Sequence, residues 1–247
     1  MPTANPRPIP ILMYHQIAPP PPRGTPFRGL VVDPQRFAGH MRALHRLGYQ
    51  GLAMRDLMPY LAGERQGRVF GLTFDDGFAN VLDNAGPVLA ALGFTATNYC
   101  VAAHPGGTNA WDAGHGVAPQ RLMTVAQMRA WVAAGHEIGS HTLDHVDLTT
   151  LPLAEVRHQM VASRQRLEDA IGTAVTAFCY PYGHYGPDHP RLVRDAGFQS
   201  ATTTQRGRVQ AHTDYCQLPR VTVVRSTHLL ALWQKIATRY EDRRSRQ

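Results

Sequence analysis

Two acidic residues, Asp75 and Asp76, stand side by side at the end of an apolar run, in Thr73-Phe74-Asp75-Asp76-Gly77. Adjacent carboxylates repel, so the fold must supply a cation or hydrogen bonds. In an extended segment neighbouring side chains diverge, which would let one bind a metal ion while the other faces a water beside it. An ordinary Asp-Asp-Gly turn explains this motif equally well when it is taken alone. A second cluster, Ser140-His141-Thr142-Leu143-Asp144-His145, sets two imidazoles four residues apart. That spacing can turn both toward one ion from a helical turn or a tight loop. With thirteen histidines in the chain, a chance pair is not remarkable by itself. Two imidazoles, one carboxylate and open positions nonetheless make a recurrent hydrolytic zinc arrangement. The third cluster, Phe178-Cys179-Tyr180-Pro181-Tyr182-Gly183, offers aromatic walls that suit a sugar ring, and it suits core and turn chemistry as well.

The elements that must carry these side chains alternate. Apolar runs predict strands at Ile9–His15 (led by Pro6, Pro8 and Pro10), Val69–Phe74, Ala96–Val101, Glu137–Ser140, Thr176–Tyr180, Gln199–Thr203 and Gln217–Val224. Helical spacing of Phe37, Met41, Leu44 and Leu47 starts at Pro34 and stops at Gly48. Further helices are expected at Ala85–Leu92, at Val125–Ala134 behind an N-cap at Thr124, and at Leu153–Ile171, Arg191–Ala196 and Ser226–Tyr240. Residues 18–30, rich in Pro and Gly, read as a loop, as does the Gly-rich stretch His104–Gly116 with Trp111. Strand–helix alternation predicts a parallel sheet wrapped by helices, with sites at the carboxyl ends of the strands. All three polar clusters follow a strand directly.

Composition narrows the alternatives. The 247 residues, 43% hydrophobic and 17% charged, describe a globular chain with a real core, expected to form one domain over 1–247 with its core at about 9–240. Three cysteines without CxxC spacing exclude a disulfide framework or a thiolate zinc site. The formal charge of +7 comes almost wholly from arginine, Lys235 being the one lysine, with a mild excess at Arg239, Arg243, Arg244 and Arg246. No basic stretch interleaved with aromatics points to nucleic acid. A solvated basic surface is the plain reading, and attraction to an anionic glycan or a membrane face is the alternative. The start carries an apolar stretch of only about six residues, short of the roughly 7–15 of a signal peptide. The chain as written is therefore expected in the cytoplasm, or in the periplasm or outside the cell if a leader has been removed. No run is long enough for a membrane span. The oligomeric state is not readable.

The runs TFDDG, HTLDH and YPYG, in that order, resemble the polysaccharide deacetylases of carbohydrate esterase family four, the NodB-homology domain. PILMYH near the start, AWD at 110–112, RLM at 121–123, EIGSHT at 137–142 and LPRV at 218–221 extend the resemblance over about residues 9–225. It implies a distorted (β/α) barrel with parallel strands and outer helices, and metal-dependent amide or ester deacetylation. Asp75 maps to the catalytic base, and Asp76, His141 and His145 to the ligands of a divalent ion, Zn2+ first, with Co2+, Ni2+ or Fe2+ as alternatives. The chain departs from the pattern in two places. Cys179 stands where the third motif usually carries Arg, and no late Leu-x-His supplies an acid histidine. The pattern is similar to the poly-N-acetylglucosamine deacetylase branch, in which the acid comes from the first strand. His15 is then the candidate acid, and Arg220 the candidate to orient Asp75. Tyr182, Trp111 and Tyr180 are the expected substrate walls. The implied substrate is a carbohydrate bearing N-acetyl groups, as a polymer or glycoconjugate. A small or lipid-linked sugar or a non-sugar amide is one alternative, and a non-catalytic glycan-binding barrel another.

Overall fold

The computed structural model describes residues 8–244; Pro6, the start of the stretch read for a leader, and Arg246 lie outside the described residues. In chain order the elements are β1 (Ile11–Tyr14), β2 (Gln16–Ile17), β3 (Val31–Val32), α1 (Pro34–Arg46), β4 (Gln50–Leu52), α2 (Met54–Leu61), β5 (Val69–Phe74), α3 (Ala79–Leu92) and β6 (Thr97–Cys100). There follow α4 (Val125–Ala133), β7 (Glu137–Ser140), α5 (Leu153–Ile171), β8 (Ala177–Cys179), α6 (His189–Asp195), β9 (Ser200–Arg206), β10 (Leu218–Thr222), α7 (Leu229–Ala237) and α8 (Tyr240–Arg244).

Seven parallel strands close a ring in the order β1-β5-β6-β7-β8-β9-β10, and β4 pairs with the start of β5 outside it. Strand β1 is the closing stave: Leu12 registers with Leu72 of β5 on one side and Val221 of β10 on the other. Parallel strands under a helical coat are buried on both faces, which is why β5 is a continuous run with all six residues buried. The longer helices bury apolar residues toward the barrel, as Phe37, Met41 and Leu44 of α1 and Val156, Met160 and Leu167 of α5 do. Asp33 caps α1 by accepting from the Gln35 and Arg36 N–H groups. Thr124 and Gln127 cap α4 reciprocally. No helix among the described residues is long and apolar enough to cross a membrane.

The structure departs from the sequence pattern in three places. Helix α3 begins at Ala79, six residues ahead of the expected Ala85. Its added turns are held by long-range bonds, from the Ile17 N–H to Asn80 Oδ1 (3.1 Å) and from Asn84 Nδ2 to the Ile17 carbonyl (2.8 Å), which no local pattern reports. Strand β4 and helix α2 were not anticipated; both are short, and Pro59 sits inside α2. The expected last helix breaks at Thr238, whose backbone is extended. Glu241 beyond the break turns back to Arg206 (2.7 Å) and Lys235 (3.0 Å), which explains the separate α8.

Candidate functional site

Strand β5 is followed by two carboxylates that line one pocket and meet different partners. The Asp75 N–H continues the ladder to the Tyr14 carbonyl at 3.0 Å. Asp76 (φ 74) and Gly77 (φ 79) then take left-handed conformations, which swing the Asp76 carboxylate toward the end of β7. A side chain at Gly77 would meet Cys100 at 3.1 Å as well as strain the backbone. His141 leaves β7, and left-handed Thr142 (φ 66) and His145 (φ 56) curl the loop so that the second imidazole returns. Non-glycine residues in this region cost energy and cluster where a site needs them.

Asp76, His141 and His145 converge, each with one ligand atom within 4.8 Å of the others. The Nε2 atoms of His141 and His145 lie 3.5 and 3.3 Å from the same Asp76 oxygen. Charge-assisted hydrogen bonds are shorter, about 2.7–2.9 Å. Ligands about 2.0–2.1 Å from a tetrahedral zinc ion stand about 3.4 Å apart, so the spacing is that of a ligand set. The far ring nitrogens are engaged: His141 Nδ1 donates to the Cys179 carbonyl at 2.8 Å, and His145 Nδ1 meets the Tyr182 hydroxyl at 3.2 Å. Such outer bonds fix the tautomer that leaves Nε2 free for an ion. Burial opposes a charge on Asp76, yet the neighbouring imidazoles of His141 and His145 hold its carboxyl well below the usual range. Burial pushes the His145 imidazole down, toward the neutral form a ligand needs. His141 goes the other way: burial opposes its charge, but neighbouring Cys179 and Asp76 outweigh it and push the imidazole up.

Asp75 has a different partner. Arg220 grips it with both arms, Nη1 to Oδ1 at 2.7 Å and Nη2 to Oδ2 at 2.8 Å. The guanidinium is fully buried, and its Nε donates to the Thr203 carbonyl at 2.8 Å. It also lies 3.2 Å from the Cys179 sulfur, so the short Cys179 side chain leaves the room that Arg220 fills. Burial would raise the Asp75 carboxyl, and Arg220 with His15 more than reverses this, keeping it below the usual range. His15, just past β1, places Nε2 3.9 Å from Asp75 Oδ2.

The expected walls divide. Trp111 stacks on His145, with centroids 4.7 Å apart and planes at 19°. Tyr182 meets the same ring edge-on and stays 44% exposed. It takes a left-handed conformation (φ 59), and Gly183 after it has no room for a side chain beside Thr204. Tyr180 lines the same pocket from behind: its side chain is fully buried, and its hydroxyl donates to the Cys216 carbonyl at 3.0 Å. The sequence reading missed Phe27 and Asp112, which line the same pocket. Phe27 lies in the Pro-rich loop, where no periodicity marks a residue; the one signal was the length of that loop.

A parallel barrel with cation-ready acceptors and an ion-paired carboxylate at its strand ends defines a hydrolase class. The chain belongs to the polysaccharide deacetylase family, whose model matches residues 62–201. YxkH of Bacillus subtilis, assigned by name to the polysaccharide deacetylases, is 28% identical over 223 residues, covering 90% of this chain and 73% of that protein. The poly-β-1,6-N-acetyl-D-glucosamine N-deacetylase of Staphylococcus epidermidis is 23% identical over 196 residues, 78% of this chain and 68% of that one. Among solved structures, the Streptococcus pyogenes deacetylase PplD in complex with acetate superposes with a TM-score of 0.81 at 25% identity, covering 94% of this chain and 99% of that one.

Proposed function

We propose that this deacetylase removes N-acetyl groups from an amino-sugar polymer or glycoconjugate, with a divalent ion, Zn2+ first, held by Asp76, His141 and His145. The observation that carries the reading is the ligand-like spacing of those three groups next to a second carboxylate held by Arg220. The donor set of two imidazoles and one carboxylate fits such an ion and leaves positions open. Bound there, the ion would supply Lewis acidity to the acetyl carbonyl and to the attacking water. Asp75, kept ionised by Arg220, accepts the proton that the water gives up. Arg220 also fixes both carboxylate oxygens, so the base does not swing toward Asp76. His15, across from Asp75, donates a proton to the departing amine, without which the C–N bond does not break readily. Tyr182 and Trp111 wall the pocket around His145, where they can pack against a sugar ring.

A polymer or glycoconjugate is favoured by the pocket's aromatic rim and by the poly-N-acetylglucosamine deacetylase among the relatives. The test is acetate release by zinc-loaded protein from β-1,6-linked and β-1,4-linked N-acetylglucosamine oligomers and from a panel of small amides. Turnover on an oligomer, lost in His15→Ala, is expected. Turnover on small amides alone would overturn the substrate, and unchanged turnover in His15→Ala would remove that residue from the mechanism.

A further inference from the structure

Helix α7 carries a wide apolar arc of which only part is buried. Leu232 and Ile236 are buried, while Leu229 (51%), its neighbour Leu230 (70%) and Trp233 (48%), one turn on, extend the arc into solvent. Gln234 and Lys235 occupy the rest of the helix surface. An apolar stripe normally faces a core. Here, among the described residues, its outer half is uncovered.

Cationic side chains gather on the segments beside the start of this helix. Arg36 reaches the Thr227 carbonyl at 3.3 Å, just ahead of the helix. The Arg225 N–H donates to the Gly29 carbonyl at 2.8 Å, which brings Arg225 beside Arg28, and Arg28 Nε bonds the Pro21 carbonyl at 2.6 Å, close to Arg23. Burial and the like charges of Arg225 and Arg23 lower the Arg28 guanidinium below its ordinary value. Among the described residues the ion pairs of arginine involve other positions, so these four cations have no carboxylate partner. Phe27, 47% exposed and at the pocket mouth, lies in the same loop. Helix α7 starts at the barrel end that carries the site, because it follows the carboxyl end of β10.

We propose that Leu229, Leu230 and Trp233, together with Arg23, Arg28, Arg36 and Arg225 on the segments beside the start of this helix, dock this protein on an anionic lipid bilayer surface. Leu and Trp enter the interface while the arginines meet headgroup phosphates. The charge pattern favours a bilayer over a second copy of the chain. A twofold dimer through this face would set the same four unpaired cations against each other. Docking in this way would hold the pocket mouth toward the lipid headgroups, within reach of glycan that lies on or emerges from that surface. The proposal is independent of the chemistry in the pocket.

The test is co-sedimentation of the full chain with vesicles of phosphatidylglycerol mixed with phosphatidylcholine, and with vesicles of phosphatidylcholine alone. Binding to the anionic vesicles that weakens as salt is raised is expected, with little binding to the neutral ones. The Leu230→Glu/Trp233→Glu variant should lose binding and keep its acetate release from a soluble oligomer. Arg28→Gln/Arg225→Gln, which leaves the apolar stripe intact, should weaken binding by about fivefold for each arginine removed. No binding of the wild-type chain to anionic vesicles would overturn the proposal, as would undiminished binding by both variants. So would a wild-type dimer, by light scattering, that Leu230→Glu/Trp233→Glu converts to monomer.

Discussion

One peptide bond separates the Asp75 carboxylate, gripped by both arms of Arg220 at 2.7 and 2.8 Å, from the Asp76 carboxylate, which faces two imidazole nitrogens at 3.3 and 3.5 Å. The first distances are those of a completed bidentate ion pair. The second are those of groups waiting around a common cation. Two chemically identical side chains are thus given unlike tasks by the direction in which the left-handed Asp76-Gly77 turn sends them. In the proposed mechanism one is kept ionised and fixed beside the reacting face, and the other holds the ion.

The sharpest way to break this contrast is Asp76→Ala. Zinc content by elemental analysis should fall to background, and acetate release should vanish with it. A variant that kept a full equivalent of zinc would show that Asp76 is no ligand. Asp75→Asn comes next. It should bind zinc as the wild type does while turnover drops by about 10²–10⁴-fold, the scale of a lost general base. Loss of zinc in that variant would merge the two carboxylates into one site.

Arg220→Gln probes the pair from the other side. Leaving Asp75 buried without its partner should cost about 3–5 kcal/mol of stability, read from denaturant unfolding. In whatever fraction stays folded, the acid limb of kcat/KM should move to higher pH, because Arg220 is what holds the Asp75 carboxyl down. An acid limb that moved to lower pH would contradict the assignment of Asp75 as base. The smallest effect concerns affinity alone. Because a ligating imidazole must be deprotonated and His141 is pushed up by Cys179 and Asp76, zinc binding should weaken as the pH falls, by up to about tenfold for each pH unit. Tyr182→Phe should weaken it by about 10-fold or more by freeing His145 Nδ1. Competition with a chelator at several pH values measures both.

How much of this was legible from the chain alone depended on distance along it. His141 and His145 are four apart, and Asp75-Asp76-Gly77 is contiguous, so local spacing exposed them. The Asp75–Arg220 pair spans 145 residues, and no spacing rule reaches across that gap; only the likeness to a family suggested it. Cys179 at the place of the usual arginine looked like a defect, and in space it is the vacancy that Arg220 occupies. The alternation of strands and helices pointed to a parallel sheet wrapped by helices, because buried parallel strands announce themselves as apolar runs, and the family likeness added its closure into a barrel. Short β4 and α2, and the first turns of α3, stayed hidden because tertiary bonds rather than periodicity hold them. Trp111 and Tyr182 were read as sugar platforms from residue type, and type could not say that both rest on His145.

The closing position of β1 also bears on synthesis. This strand emerges early from the ribosome, yet one of its two neighbours, β10, is made some two hundred residues later. Until then β1 has one free edge, and Asp75 has no guanidinium. A nascent chain halted before Arg220 therefore carries both carboxylates, both imidazoles and His15, and still lacks a closed barrel and a charge-balanced base. Such late, non-local closure slows folding and exposes strand edges on the way. Joining the two ends of the barrel by circular permutation, so that β10 runs directly into β1, would shorten that wait.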